Sequence, residues 1–212
     1  MITIKIFEFN FFSENCYILH DETKDAVIID CGALFPKEHK ALTEYIAQQG
    51  LSIKHLLCTH LHVDHVFGNA FIYKNYGLKP MANKLEMELL PSPAVQAQMF
   101  GMDVQTEDVP MGEFISDGDK ICFGNSELKT ILVPGHSPGS IVFYSKKEGF
   151  AIVGDVLFNG SIGRTDLWGG SHETLIKAIK EKLLVLPDET VVYPGHGNKT
   201  KIIDERRHNP FL

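Results

Sequence analysis

The sequence predicts an α+β fold in which two β-sheets face one another and helices cover their outer faces. Three observations predict it. Strand-like segments fall into two groups, one before residue 58 and one between residues 113 and 154, and amphipathic helical segments follow each group. The 212 residues are 44% hydrophobic and 22% charged, so a sizeable core forms without disulfide or metal staples. No repeat, low-complexity run or long linker interrupts the chain, and a single domain over residues 1–212 is expected.

The elements follow in order. Ile2, Ile4 and Ile6 alternate with Thr3 and Lys5, which predicts a strand over residues 2–9. Residues 15–20 and 26–30 predict two more, joined by the polar turn 21–25. Leu42, Tyr45 and Ile46 stand at helical spacing in residues 37–49, with Pro36 before them and Gly50 after as start and stop. A short strand over 53–58 leads through 59–64 into a helix at 65–76, ended by Gly77. Residues 84–100 predict one or two helices, interrupted by Pro91-Ser92-Pro93. Strands are predicted at 120–123, 126–133, 139–145 and 149–153. A helix from Ser171 to Leu184 presents Leu175, Ile176, Ile179 and Leu183 on one face. A last strand at 190–193 and a terminal helix around 204–207 complete the chain.

Composition sets several function classes aside. The net charge is -7 and there is no basic run, so non-specific nucleic-acid binding, which needs Lys and Arg against phosphate, is not expected. No apolar stretch reaches the ~20 residues of a membrane helix, and the first residues lack the plan of a secretory signal. Cys16, Cys31, Cys58 and Cys122 form no C-x-x-C pair and sit in apolar stretches, which suggests small buried thiols and a reducing, cytoplasmic setting.

The chemistry concentrates in Thr59-His60-Leu61-His62-Val63-Asp64-His65. Extended backbone points His60 and His62 the same way, and Asp64 and His65 follow where strand gives way to helix. Four ligand-type side chains this close repel one another and lose water unless a cation pairs with them. Three further segments each end an apolar strand with such a residue: His136 in Val133-Pro134-Gly135-His136-Ser137-Pro138-Gly139, Asp155 after Phe150–Gly154, and His196 after Val191–Gly195. Asp30, at the end of another strand, reads equally as a partner of a ligating histidine or as the cap of a turn.

His60-x-His62-x-Asp64-His65 followed by His136, Asp155 and His196 resembles the signature of the metallo-β-lactamase superfamily, along the whole chain. The resemblance implies an αββα sandwich with two divalent metal ions at one edge. It assigns His60, His62 and His136 to the first ion, Asp64, His65 and His196 to the second, and Asp155 to both. Zinc suits such imidazole and carboxylate donors, as do iron and manganese.

Gly135–Gly139, Gly154-Asp155-x-Leu157-Phe158, Gly163-Arg164-Thr165-Asp166 and the ending 205–212 are similar to glyoxalase II, above all its compact bacterial relatives. That similarity implies hydrolysis of small acyl-glutathione thioesters of the S-lactoylglutathione type by a hydroxide between the metals, with Asp64 as ligand and as orienter of that water. It also implies Arg164 as a contact for a substrate carboxylate, against an internal ion pair with Asp166. The two-domain enzymes favour an aromatic where Asp166 stands and add a helical domain after the point where this chain ends. The superfamily's β-lactamases carry cysteine where Asp155 stands, so antibiotic hydrolysis is not expected. Persulfide dioxygenases share the Gly-Arg-Thr-Asp stretch and use one iron, which His60, His136 and Asp155 would hold; a lactonase would use nearly the same ligands. His20, His39, His55, His172 and His208 are expected outside the site, and Trp168 as a core or surface aromatic. The sequence assigns no oligomeric state.

Overall fold

The strands at 14–20, 26–29, 141–145 and 150–154 are buried along their whole length, because each sheet is covered on both faces there. A computed structural model describes residues 1–104 and 106–212. The first sheet contains β1 (Thr3–Phe9), β2 (Glu14–His20), β3 (Asp25–Ile29), β4 (Ser52–Leu57) and β5 (Pro80–Met81), in that order. Between its strands run α1 (Pro36–Gln49), α2 (Val63–Val66) and α3 (Asn69–Tyr76), and α4 (Lys84–Leu89) and α5 (Pro93–Met99) follow. The second sheet is built from β6 (Lys120–Phe123), β7 (Ser126–Leu132), β8 (Ile141–Ser145), β9 (Phe150–Gly154), β12 (Val191–Pro194) and β13 (Thr200–Lys201), ordered β13-β12-β9-β8-β7-β6. β10 (Leu157–Phe158) and β11 (Ser161–Ile162) pair as a small hairpin, and α6 (His172–Ala178) and α7 (Ile202–His208) complete the chain.

Alternation divides the side chains between layers. Tyr17, Leu19, Val27, Ile29 and Leu57 of the first sheet meet Phe143, Phe150 and Ile152 of the second in one buried cluster. Their neighbours Cys16, Ile18, Ala26, Ile28 and Leu56 face Leu42 and Ile46 of α1 and Ile72 of α3. Val142, Ala151, Val153 and Val192 face Leu175 and Ala178 of α6. This is the predicted two-sheet sandwich with helices outside.

The structure departs from the predicted elements in a few places. The helix expected over 65–76 is two helices, broken at Phe67–Gly68, where Gly68 N donates to Cys31 O at 2.7 Å. The helix expected over 171–184 continues from α6 as a π-helical turn, Ile179–Leu183. Cys16, Cys31 and Cys58 are buried thiols, but Cys122 is exposed. On β6 the alternation turns Ile121 and Phe123 inward and therefore Cys122 outward. Among the described residues no helix is long and apolar enough to cross a membrane.

Strand direction decides where the site falls. β3 runs parallel to β4, and β9 parallel to β12. β7 and β9 each run antiparallel to β8, so β7, β9 and β12 share a direction. Their carboxyl ends release 133–139, Asp155 and His196 at one edge, and β4 releases 58–62. Hydrogen bonds join the sheets there: Asn15 N to Gly195 O at 2.7 Å, Tyr17 Oη to Pro194 O at 2.5 Å, and Ile141 N to Thr59 O at 2.7 Å.

Candidate metal centre

All seven predicted ligand residues converge at this edge. His62 Nδ1 lies 2.9 Å from His136 Nε2, which lies 3.3 Å from His60 Nε2. His196 Nε2 lies 3.2 Å from His65 Nε2 and 3.2 Å from Asp64 Oδ2. Asp155 stands between the two triplets: Oδ1 is 3.4 Å from His65 Nε2, and Oδ2 is 3.8 Å from His136 Nε2 and 3.6 Å from His196 Nε2.

Four rings are oriented by a bond at the nitrogen facing away from this centre. His136 Nδ1 donates to Arg164 O at 2.8 Å and His196 Nδ1 to Phe12 O at 3.0 Å. His65 Nδ1 donates to Asp30 Oδ2 at 3.1 Å. Thr59 Oγ1 gives its proton to Asp30 Oδ2 at 2.6 Å and therefore accepts from His60 Nδ1 at 3.0 Å. With Thr59 N on Oδ1 at 2.7 Å, Asp30 organises both His65 and His60. It does so from a left-handed backbone, φ 52°, a strained setting for a residue other than glycine. Of the two readings open for Asp30, the geometry favours the partner of a histidine.

Without a cation this arrangement would be electrostatically unfavourable. Three imidazole nitrogens face one another, and buried Asp155 Oδ1 and His62 Nε2 have no hydrogen-bond partner among the described residues. Burial holds His60 well below the ordinary histidine range, lowers His136, and with the neighbouring His136 takes His62 down to about 3. His65 behaves oppositely. Burial opposes its charge, but the carboxylates of Asp155 and Asp64 outweigh burial and raise its pKa well above the usual value. His196 is raised too, against burial, by Asp64 and Asp155. Asp155 is lowered despite burial, chiefly by His65. Two groups, His60–His62–His136 and Asp64–His65–His196, have the spacing to hold a metal ion. Asp30, His60 and His65 also lie close enough, but Thr59 occupies both oxygens of Asp30, which marks that group as scaffold. The donor set fits divalent cations, which would satisfy the orphaned Asp155 oxygen and the facing nitrogens. Close packing maintains the cradle: a Cβ on Gly195 would run into Asp155 Oδ1.

A cleft of about 520 Å³ opens over the centre, lined by His62, Asp64, His136, Asp155 and His196 together with Phe11, Phe12, Phe100, Met102, Leu167 and Arg164. Arg164 reaches it, yet its Nε and Nη2 each bond Asp166 at 2.8 Å, so the internal ion pair is formed. Trp168 is half-buried and outside the lining of the cleft, with its ring 6.4 Å from that of His62 and 5.8 Å from that of Phe100. A larger groove of about 1050 Å³ lies elsewhere, over β6, β7 and β8, and is lined by none of the predicted site residues. His20 bonds Tyr45, His39 stacks on Phe71 and His55 meets Cys122 O, all away from the centre. Sequence reasoning missed Thr59, Glu86 and Gln96, whose polar side chains are buried around the ligand loops.

Comparisons with known proteins agree on the family. A family model described as the metallo-beta-lactamase superfamily matches residues 9–196. The hydroxyacylglutathione hydrolase GloC of Haemophilus influenzae is 37% identical over 212 residues, covering 100% of this chain and 98% of that protein. The mitochondrial persulfide dioxygenase ETHE1 of Mus musculus is 30% identical over 201 residues, covering 92% of this chain and 70% of its own length. Among solved structures, BLEG-1 B3 metallo-beta-lactamase superposes with a TM-score of 0.89 at 33% identity, covering 99% of both chains. TTHA1623 in a di-iron-bound form superposes at 0.86 with 32% identity, covering 98% of this chain and 100% of that one.

Proposed function

The chain belongs to the metallo-beta-lactamase superfamily, and from that membership we propose that it is a dinuclear metal-dependent hydrolase of acyl thioesters of the S-lactoylglutathione type. One observation carries the reading: two ligand triplets meet at a shared aspartate on the floor of an open cleft. His60, His62 and His136 would hold one ion, Asp64, His65 and His196 the other, and Asp155 both. When bound, such ions would supply an activated water and a Lewis acid for the thioester carbonyl. Zinc is the proposed metal, with iron the competing one in view of the di-iron neighbour.

The chain's own residues do the rest. Asp64 Oδ2, at the cleft floor between His65 and His196, is placed to accept a hydrogen bond from the attacking water and orient it. Phe11, Phe12, Phe100 and Leu167 wall the cleft and limit bulk water around the thioester. Arg164 offers a guanidinium to a substrate carboxylate, in exchange for Asp166. Exposed ion pairs are weakly held, so this exchange is permitted.

The test is steady-state hydrolysis of S-D-lactoylglutathione by purified protein of measured metal content, with and without a chelator. Chelator-sensitive turnover with two ions per chain is expected. No turnover with both ions bound would sink the thioester reading. A second reading, persulfide oxygenation, has a specific ground in the similarity to ETHE1 and in the convergence of His60, His136 and Asp155. One iron per chain and oxygen consumption with a persulfide would establish it instead. The similarity to BLEG-1 makes a β-lactam a necessary comparison substrate, despite the expectation from residue 155; a lactone is the other.

A further inference from the structure

His62 is the exception among the five clustered histidines. His60, His65, His136 and His196 each bond a protein oxygen through Nδ1 and turn Nε2 inward. His62 turns Nδ1 inward, 2.9 Å from His136 Nε2, and its Nε2 is buried without a partner. Among the described residues, no protein oxygen accepts a hydrogen bond from this ring. It is caged edge-on by His60 and His136, with centroids at 4.7 and 4.6 Å. Because Nδ1 is closer to the backbone than Nε2, any shift of the His62 backbone passes almost undiminished to the donor atom.

That backbone is held on both sides by two fully buried polar side chains that no ligand motif contains. Gln96, on α5, accepts from Val63 N through Oε1 at 3.0 Å and donates through Nε2 to Leu61 O at 2.9 Å. The same Nε2 also donates to Pro91 O at 2.9 Å, which fixes the amide's orientation. Glu86, on α4, accepts from Leu61 N through Oε2 at 2.9 Å and from Gly139 N through Oε1 at 2.6 Å. Glu86 thus ties the His62 segment to the loop carrying His136, and Gln96 brackets His62 itself.

We propose that Gln96, assisted by Glu86, is the positioning residue for His62, holding through the flanking peptide groups the donor that other histidines hold through a ring bond. The inference rests on the ligand assignment under Proposed function. It makes the ion of the His60–His62–His136 triplet selectively dependent on α4 and α5.

The experiment titrates metal-free protein with Zn2+ against a competing chelator and records the Co2+ absorption of the same samples. Three variants are compared with the parent: Gln96→Met, His62→Ala as the reference for losing this donor, and Asp21→Asn as a control for destabilisation far from the centre. Gln96→Met is expected to weaken one ion by about 10- to 100-fold, reproducing His62→Ala in milder form, while the other ion changes less than about threefold. Its Co2+ spectrum should shift toward that of His62→Ala. If Gln96→Met does not fold, Glu86→Gln, which keeps an acceptor for one of Leu61 N and Gly139 N and loses the other, supplies the same reading at reduced size. Parallel weakening of both ions, or an unchanged ratio of affinities, overturns the proposal. A parent protein that fails to take two Zn2+ overturns the ligand assignment instead, so the two failures are distinct.

Discussion

The two halves of the centre, three histidines in one and two histidines with an aspartate in the other, prepare for a cation in opposite ways. In the His60–His62–His136 half, burial keeps the imidazoles neutral, so no proton has to leave before an ion binds. In the Asp64–His65–His196 half, carboxylates raise both histidines and favour their protonated forms, so an ion would have to displace protons there. The contrast teaches that the first half depends on geometry and the second on pH. It also explains why Asp155, with one oxygen toward His65 and the other toward His136 and His196, matters to both.

Removing the shared carboxylate is the severest way to break this contrast. Asp155→Ala leaves both triplets without their common anion, and both ions should weaken together. Thioester turnover should fall by more than the roughly 100-fold that loss of an outer partner reaches. Inductively coupled plasma measurement of metal per chain, beside the turnover assay, checks this. Retention of two tightly held ions would show that the halves do not share Asp155.

Acidification should separate the halves. A ligand must shed its proton to bind, so affinity rises with pH wherever the free histidine's pKa lies above the working pH. His65 and His196 are raised, so the second ion should be lost first as pH falls through the neutral range, with release of up to about two protons per ion on rebinding. His62, held near 3, gives the first ion no such slope there. Calorimetric Zn2+ titration in buffers of different ionisation enthalpy counts the protons. Equal proton release from both ions would remove the distinction.

A milder change probes the rim. Arg164→Ala should raise KM for S-lactoylglutathione by about 10-fold with little change in kcat, as loss of one charge-assisted contact implies. Removal of Asp166 by Asp166→Asn should lower KM by freeing the guanidinium. Steady-state kinetics on both variants decide it. An unchanged KM in Arg164→Ala would leave Arg164 a surface partner of Asp166 alone.

The convergence of the seven candidate ligands was legible in the sequence because each lies at the end of an apolar strand or within one dense motif, where a polar residue is conspicuous. The sandwich was readable because its innermost strands, 26–29 and 150–154 among them, are apolar on both faces, with Ile28 and Ile29 turned to different layers. The supports were not. Glu86 lies among Lys84 and Glu88 on a short helix and reads as part of a solvated face, yet it is fully buried. Gln96 has no spacing relation to His62, and only the return of α5 onto the loop brings them together. Cys122 failed for a simpler reason: one residue of alternation on β6 turns a residue that looks buried to the surface.

The smallest expected effect belongs to the end of the sandwich away from the candidate metal centre, and it sharpens the contrast by leaving it untouched. Asp21, in the turn between β2 and β3, is lowered to about 2: burial pushes its carboxyl up, but bonds from Thr23, Ser126 and Asn125 prevail. Thr23 N donates at 2.9 Å, Asn125 N at 2.7 Å and Ser126 Oγ at 2.8 Å, stapling the β2–β3 turn to the β6–β7 turn. A carboxylate with a depressed pKa stabilises the fold above its unfolded value and loses that contribution as pH falls toward its folded one. The window therefore runs from about pH 4 down to about pH 2. Asp21→Asn should cost about 1–3 kcal/mol at neutral pH and flatten the acid limb of a urea-denaturation series, while both Zn2+ affinities stay as in the parent. If that substitution instead shifted the ratio of the two affinities, the two ends of the sandwich would be coupled, and the differences between the halves of the centre could no longer be assigned to their own ligands and supports.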